Sequence, residues 1–416
     1  MICPKSATGA GWCDLMTRPE SDMTDTEREL HVLALNSGSS SLKFGLYLVG
    51  SKRIDRLMSG EAEQIGDKSG LFHAKDAAGR FLLSEAATFH NQQDAIIRVN
   101  RLFAENGLPK PSAVGHRIVH GGPKLLQHCL IDDSVVLELE AATVFAPLHM
   151  PAAVSVIRFA QMHFPGLAQV ACFDTAFHAG LPDVARLFPI SRDLQLDGIH
   201  RYGFHGISCE SIVRRLGNGL PSRLIIAHLG NGASVTAVKD GRSIDTSMGL
   251  TPTGGIIMGT RSGELDPGVL IYLMREKKFD AGMLEDLVNR RSGLIGISGV
   301  ASDMRRLHEA ASSNASARLA IEMFCYSVRK QLAAMIAALD GADMVVFTGG
   351  IGENDWQVRA AICGGLNWIG VSLDGARNRP ASNPINDPAS RCTVQVLASQ
   401  EEEQIARLTW AWLPQK

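Results

Sequence analysis

Leu35-Asn36-Ser37-Gly38-Ser39-Ser40-Ser41-Leu42-Lys43-Phe44 joins two runs of β-type apolar residues, Val32–Leu35 and Leu42–Val49. Two such runs around a stretch of small residues read as a hairpin, here with a turn, Asn36–Ser41, rich in hydroxyls. The pattern returns later in the chain. Leu224–Leu229 is followed by Gly230-Asn-Gly-Ala-Ser234, by Val235–Val238, and by the turn Lys239-Asp-Gly-Arg242 before another extended segment. Laying Gly38 on Gly232 sets Leu35 over Leu229 and Ser40 over Ser234. The sequence therefore predicts an internal repeat, a duplicated domain whose halves each open with a hairpin.

Outward from the hairpins, helical and strand-like segments alternate. Pro151–Met162 and Arg318–Leu339 carry helical spacing; Ala113–Val119, Gln169–Phe173 and Met344–Phe347 read as strands. The last helix is predicted over Glu401–Trp412, with apolar positions 405, 408 and 412 on one face. This pattern implies an α/β protein with mixed sheets.

Among 416 residues, 41 Lys+Arg stand against 43 Asp+Glu, which argues against a general nucleic-acid or polybasic membrane binder. No run approaches the 18 or so apolar residues of a membrane span. The eight cysteines, at 3, 13, 129, 172, 209, 325, 363 and 392, include no C-x-x-C pair and read as reduced thiols in a reducing compartment. Residues 1–30 lack the apolar core of a secretory signal; they read as a disordered extension, or as an upstream start ahead of Met23.

Glycine is the compositional anomaly: of 41, nine fall between 230 and 268 and seven between 341 and 370. Glycine turns after strands let backbone N–H groups approach an anion. Thr348-Gly-Gly-Ile-Gly-Glu-Asn354 follows a buried-type strand and opens a helix, a setting for a nucleotide phosphate or ribose. GxxxxGK[ST] is absent, which sets aside a P-loop enzyme. Arginine and histidine recur among glycines, in Gly115-His-Arg117-Ile-Val-His120-Gly-Gly122, Tyr202-Gly-Phe-His205-Gly206 and Met258-Gly-Thr-Arg261-Ser-Gly263. Guanidinium forks suit carboxylate or phosphate, so together these motifs point to an anion site. His116 and His120 read as hydrogen-bonding residues in preference to a metal pair. Asp174 closes the run Val170–Phe173, at a strand end where α/β sheets place working side chains. Ser399 and Glu402 form the S-x-x-E pattern of a capping box, which leaves Glu401 as the freer candidate for magnesium.

These motifs, in this order, resemble those of the acetate kinases. The resemblance runs from about 31 to 410. It is carried by Leu35–Phe44, Gly115–Gly122, Phe173-Asp-Thr-Ala-Phe-His178, Tyr202–Gly206, His228-Leu-Gly-Asn-Gly232, Asp245-Thr-Ser-Met-Gly-Leu-Thr-Pro252, Met258–Gly263 and Gly350–Asn354. It implies a duplicated actin-like (ribonuclease H-like) two-domain α/β fold with the active site in the interdomain cleft. The halves would be 31–177, completed by a C-terminal helix within 399–416, and 178–398, the nucleotide-binding half. The implied activity is reversible transfer of the ATP γ-phosphate to acetate, giving acetyl phosphate and ADP. Propionate is the alternative acceptor, and an actin-like ATPase switch without acyl transfer is the alternative of a different class.

By that resemblance Arg117, Asp174, His205 and Arg261 are catalytic, with Arg117 and Arg261 clamping the acyl carboxylate and the migrating phosphoryl group. Val119, Leu148, Phe204 and Pro252 would line the acyl pocket beside Arg117. ATP would contact Lys43, His228, Leu229, Gly230, Asn231, Gly232, Asp303, Met304, Arg305, Gly350, Ile351, Gly352, Glu353 and Asn354, with Ser40 also in the first phosphate loop. Asn36 and Glu401 would serve Mg²⁺, with Mn²⁺ as a substitute. A cytoplasmic homodimer, free of nucleic acid and membrane, is implied as well. The chain departs from the family pattern at Thr253-Gly254, where Leu-Glu is usual, at Gly349 for alanine, at Met150 for asparagine and at Cys209 for histidine.

Overall fold

The computed structural model describes residues 29–38, 40–67 and 69–414. The first sheet contains β1 (Leu30–Ser37), β2 (Ser41–Val49), β3 (Ile54–Glu63), β4 (Gly70–Asp76), β5 (Phe81–Ala87), β6 (Ala113–Ile118), β7 (Cys129–Leu130) and β8 (Ala168–Phe173). The second contains β9 (Arg223–Leu229), β10 (Ala233–Lys239), β11 (Arg242–Thr246), β12 (Met344–Thr348) and β13 (Thr393–Val396). Their orders are β5-β4-β3-β2-β1-β6-β8-β7 and β11-β10-β9-β12-β13.

The duplication is visible in that order. In the segment β3-β2-β1-β6-β8 two antiparallel pairings are followed by two parallel ones, and β11-β10-β9-β12-β13 repeats the sequence of pairings. Both hairpins form as predicted, although the residue overlay does not hold through their turns. Ser37 pairs with Leu42, leaving four residues between them, whereas Leu229 pairs with Ala233, leaving three. The Lys239–Arg242 connection is a two-residue loop with Asp240 and Gly241 at φ of 49° and 80°, the backbone that Asp-Gly favours because both central residues need positive φ.

β1, β9 and β12 are buried on both faces, which is why their sequences are continuous apolar runs. Helix Met150–His163 lies over the first sheet, and helix Ala315–Ala338 packs against β9, β10 and β11 of the second.

The final helix, Glu401–Trp412, docks on β1, β2, β6 and β8, far from its neighbours in sequence. Gly115 makes room for it: a Cβ there would collide with Thr409 Oγ1 and Ile405. Two sequence readings of this helix change. Its buried face is Gln404, Ile405, Ala406 and Thr409, while Trp412 is exposed. Gln400, not Ser399, is its N-cap residue, and no capping box forms. The Ser399 hydroxyl instead meets Ser208 Oγ at 3.0 Å, and Glu402 turns toward β1.

Candidate active site

The ends of β1, β6 and β8 bring Asn36, Arg117 and Asp174 together. Arg117 donates from Nε and Nη2 to Asp174 Oδ2 at 3.0 and 2.6 Å, and from Nη1 to Asn36 Oδ1 at 3.1 Å. Asn36 passes the contact on, its amide nitrogen donating to Glu401 Oε2 at 2.9 Å and Glu402 Oε1 at 2.8 Å. Burial pushes the Asp174 carboxyl up, and Arg117 pulls the other way. Burial also opposes the charge on Arg117, but Asp174 and Glu401 outweigh it and hold the guanidinium firmly protonated. Asp174 Oδ1 is buried and has no hydrogen-bond partner.

Lys43 faces Asn36 across the β1–β2 ladder. Burial works against its charge, yet Glu61, Glu402 and Glu401 raise it above its ordinary value. Glu401 moves the other way: Arg117, His228 and Lys43 overcome its burial and keep it ionised. For a magnesium ion the donors fit, since two carboxylates converge on one amide beside cations able to take up phosphate charge. The glutamates carry that fit, because the Asn36 carbonyl oxygen is turned to Arg117. Among the described residues, the group of acids and imidazole within mutual ligand reach, Glu61, Glu63 and His73, includes neither Asn36 nor Glu401.

His205 and Arg261 approach from the other side. His205 is buried at the start of helix Gly206–Leu216 with φ 58°, a left-handed conformation uncommon for a residue with a side chain. Its ring is held by Ser234 Oγ at 2.9 Å from Nδ1 and by stacking on His228, ring centroids 4.2 Å apart. Burial and the neighbouring His228, Arg117 and Arg261 push its pKa well below 6.5, so the imidazole is a neutral hydrogen-bonding group. His228, at the end of β9, is also lowered by burial, and its Nδ1 meets Ser208 Oγ at 2.8 Å.

Arg261 donates to the Pro252 carbonyl at 3.0 Å and to His149 Nε2 at 3.1 Å. Neither partner is an acid. Among the described residues, Arg261 forms no ion pair, and burial with Arg117 nearby lowers its pKa to about 10. Burial and the two arginines hold His149 at about 4, so it accepts from the guanidinium as a neutral ring. A Cβ at Gly232 would lie 3.3 Å from His205 Nε2 and 3.6 Å from Arg261 Nη1. Glycine thus keeps open the point on which these two donors converge.

The loops of the second sheet meet around that point. Gly259 N–H donates to the Asn231 carbonyl at 3.0 Å. A Cβ on Gly230 would reach the Gly350 nitrogen at 3.9 Å, and one on Gly259 the Ser302 carbonyl at 3.2 Å. The turn Gly230–Gly232 thus lies against Gly350 on one side and, through Gly259, against Ser302 on the other. The glycine-rich segment Thr348–Asn354, expected to lead into a helix, is itself a short helix over Gly349–Asn354. Glu353 closes it internally, accepting from the Gly349 and Ser399 amides at 3.0 and 2.9 Å. Asp303 caps the helix Met304–Ala310, and Arg305 turns back to it at 2.7 Å with its side chain 88% exposed. Of the nucleotide residues read from the sequence, Met304 is buried, and the Glu353 carboxylate is already engaged.

Val119 and Phe204 belong to one apolar cluster, and Pro252 is buried with its carbonyl on Arg261. Leu148 precedes His149 and is half-buried. Thr253, the departure beside this pocket, donates to Asn289 Oδ1 at 2.5 Å. His116 and His120 make protein hydrogen bonds, as expected, to Gln169 at 2.8 Å and from the Gly122 amide at 2.8 Å. Sequence reasoning missed Glu402, His149 and the serines Ser208 and Ser234. The Leu148-His149 dipeptide stood beside a pocket residue, and Ser234 stood in the repeat overlay, but neither carried a mark of its role.

The sequence model described as the Acetokinase family matches residues 31–407. An acetate kinase of Methylocella silvestris is 41% identical over 401 residues, covering 92% of this chain and 98% of that protein. One of Campylobacter jejuni subsp. doylei is 40% identical over 394 residues, covering 91% and 98%. Among solved structures, a propionate kinase from Francisella tularensis is 36% identical with a TM-score of 0.86, covering 92% of this chain and 100% of that one. Porphyromonas gingivalis acetate kinase is 35% identical with a TM-score of 0.81 and the same coverages.

Proposed function

The chain belongs to the acetokinase family, and on that premise we propose that it transfers the γ-phosphate of ATP to acetate, reversibly, giving acetyl phosphate and ADP. The observation that carries this reading is Arg261, a partly buried guanidinium with no acidic partner among the described residues, facing the same space as His205. A nucleotide switch has no use for a second anion clamp; an enzyme that brings a carboxylate against a triphosphate does.

Acetate is ionised at neutral pH, so the reaction has no need of a strong base. One carboxylate oxygen attacks the γ-phosphorus in line, the bond to the β–γ bridging oxygen breaks, and ADP leaves with that electron pair. Positioning and charge stabilisation supply most of such catalysis. Arg117, oriented by Asp174 and Asn36, meets the carboxylate. Arg261 and neutral His205 donate to the phosphoryl oxygens as charge spreads over them. Asp174 thereby acts through Arg117, as a positioning residue more than as an acid or base. Lys43 and the loops around Gly230 and Gly350 hold the nucleotide. Magnesium, bound by Glu401 and Glu402 with Asn36 adjoining, would neutralise the β- and γ-phosphates.

Propionate is the second acceptor. Thr253 and its bond to Asn289 alter the edge of the pocket formed by Val119, Leu148, Phe204 and Pro252, and the Francisella neighbour is described as a propionate kinase. We also propose a homodimer, supported by helices Pro267–Glu276 and Ala281–Arg290: neither has a buried residue, yet Ile271, Tyr272 and Met274 are exposed. A cytoplasmic location agrees with six free cysteines among the described residues and with the absence there of any helix long and apolar enough to cross a membrane.

Hydroxylamine trapping with ATP and straight-chain acids of two to four carbons tests the reading. Acetohydroxamate is expected, with propionate giving less. ADP release without any hydroxamate would establish the ATPase switch instead.

A further inference from the structure

Asp174 is held from the front by Arg117; behind it lies a second arrangement built on a residue outside the motifs. Strand β7 is two residues long, pairing Cys129 with Ala171 and Leu130 with Val170. At the other end the Ile131 amide continues the ladder to the Gln169 carbonyl at 2.8 Å, but toward Phe173 no further backbone pairing with β8 is found on that side among the described residues. The side chain of His128 takes over: its Nδ1 accepts from the Phe173 amide at 3.0 Å, at the residue before Asp174. Because Nδ1 is an acceptor, the ring proton is on Nε2, which donates to Glu210 Oε1 at 3.1 Å. Both side chains are buried, at 4% and 7% exposure.

Glu210 lies on the helix that begins at His205, and the same carboxylate accepts from Gln404 Nε2 at 3.3 Å on the final helix. Gln404 in turn accepts from Arg214 Nε at 2.9 Å, and Arg214 donates to Glu403 at 2.9 Å. One imidazole thus connects three elements: the strand end carrying Asp174, the helix started by His205, and the helix carrying Glu401 and Glu402. The Asp174 amide is fixed separately, donating to the Ile118 carbonyl at 2.9 Å, and its carbonyl accepts from Gly206 N–H at 2.9 Å. The charged groups felt by the Asp174 carboxylate are Arg117 from β6, Glu401 from the final helix and Glu210 from helix Gly206–Leu216.

We propose that His128 is a positioning residue for Asp174, acting through the Phe173 amide, with Glu210 serving to hold the ring in the orientation and tautomer that accept from that amide. Loss of a support that displaces a reacting group by a fraction of an ångström costs turnover and leaves remote binding intact. Apart from the β1–β2 hairpin with Lys43, on the far side of β1 from β8, the nucleotide residues belong to the second sheet and its loops, so ATP affinity is not expected to follow. This inference rests on the acyl-kinase reading, because turnover is its readout.

Two half-replacements separate the contacts. Asparagine places an amide oxygen near Nδ1 and can accept from Phe173 without reaching Glu210; glutamine reaches Glu210 and leaves the Phe173 amide unpaired. His128→Gln is expected to lower kcat at least tenfold with KM for ATP within twofold, per ADP-binding site counted by calorimetry. His128→Asn is expected to stay within about threefold of wild type, even where its unfolding midpoint falls as far as that of the glutamine variant. In an Asp174→Asn background, His128→Gln should cost little more, because both changes act on one group. Equal losses in the two His128 variants, kcat that tracks the unfolding midpoint, or the same tenfold cost in the Asp174→Asn background would each overturn the proposal. A wild-type enzyme that forms no hydroxamate would instead remove the reading on which it rests.

Discussion

Replacing Arg261 with methionine separates the service of this residue to catalysis from its service to the fold, because the two are expected to move in opposite directions. The guanidinium is lowered from 12.5 to about 10 by burial and by Arg117, and no carboxylate among the described residues compensates it. At neutral pH it is still charged, and keeping it so costs the folded state about 3 kcal/mol, reckoned at about 1.4 kcal/mol per pH unit. Methionine retains the apolar stem. It gives up only hydrogen bonds to the Pro252 carbonyl and to His149, groups that border an open space and can turn to water. Stability without ligand should therefore be unchanged or higher by up to about 3 kcal/mol.

Catalysis should suffer. Removing one preorganised donor from a developing oxyanion typically costs about 10²–10³ in turnover, and Arg261 brings a full charge as well. The assay pairs hydroxamate formation with urea unfolding, each with and without acetyl phosphate. At a hundredfold excess over its dissociation constant, acetyl phosphate should stabilise the wild type by about 2.7 kcal/mol, and the variant should lose most of that protection. A variant whose stability and activity fall together, or which keeps more than a tenth of wild-type kcat, would refute the reasoning.

Three further outcomes are expected. Gly349 has φ of 78° and would place a Cβ 2.7 Å from the Leu229 carbonyl, so Gly349→Ala should cost at least about 1–2 kcal/mol and raise KM for ATP while sparing KM for acetate. Steady-state kinetics with each substrate varied in turn would show it, and an unchanged KM for ATP would contradict it. Burial holds His116, His120, His149 and His178 at about 4, below the 6.5 of the unfolded chain. The unfolded state alone takes up these protons as pH falls, so stability is complete above 6.5 and lost toward 4, with a slope reaching about 5 kcal/mol per pH unit. Urea midpoints that agree at pH 7 and pH 5 would count against buried neutral imidazoles. Val119→Ala enlarges the acyl pocket by two methyl groups and should shift kcat/KM toward propionate over acetate by about tenfold or more; competition between the two acids measures the ratio directly.

The hairpins were legible because their strands are continuous apolar runs punctuated by small residues, and the anion groups were legible because arginine and histidine stood among glycines. The misreadings share a physical cause. Ser399-x-x-Glu402 satisfies the local capping pattern, yet Glu402 is drawn to Asn36, 366 residues away. Trp412 keeps the helical spacing of a buried position, yet it is exposed while Leu413 beside it is buried in the cluster of Ile405. His149 and His128 are invisible in the sequence for the same reason: each is defined by a partner, Arg261 or Glu210, that only the closed fold brings near. The turns of the two hairpins differ by one residue, so pairing order survives duplication while residue overlay does not.

The docking of helix Glu401–Trp412 on the first sheet has a consequence for biosynthesis. Val32, Ala34 and Val170 are sealed by Ile405 and Ala406, so the chain emerging from a ribosome holds an open apolar face until the segment past residue 400 has been made. Contacts that span so much of the sequence close slowly, and an exposed sheet face invites association in the interval. A chain stalled before residue 400 should engage chaperones through that face, and a peptide with the sequence of the final helix, added in trans, should release it.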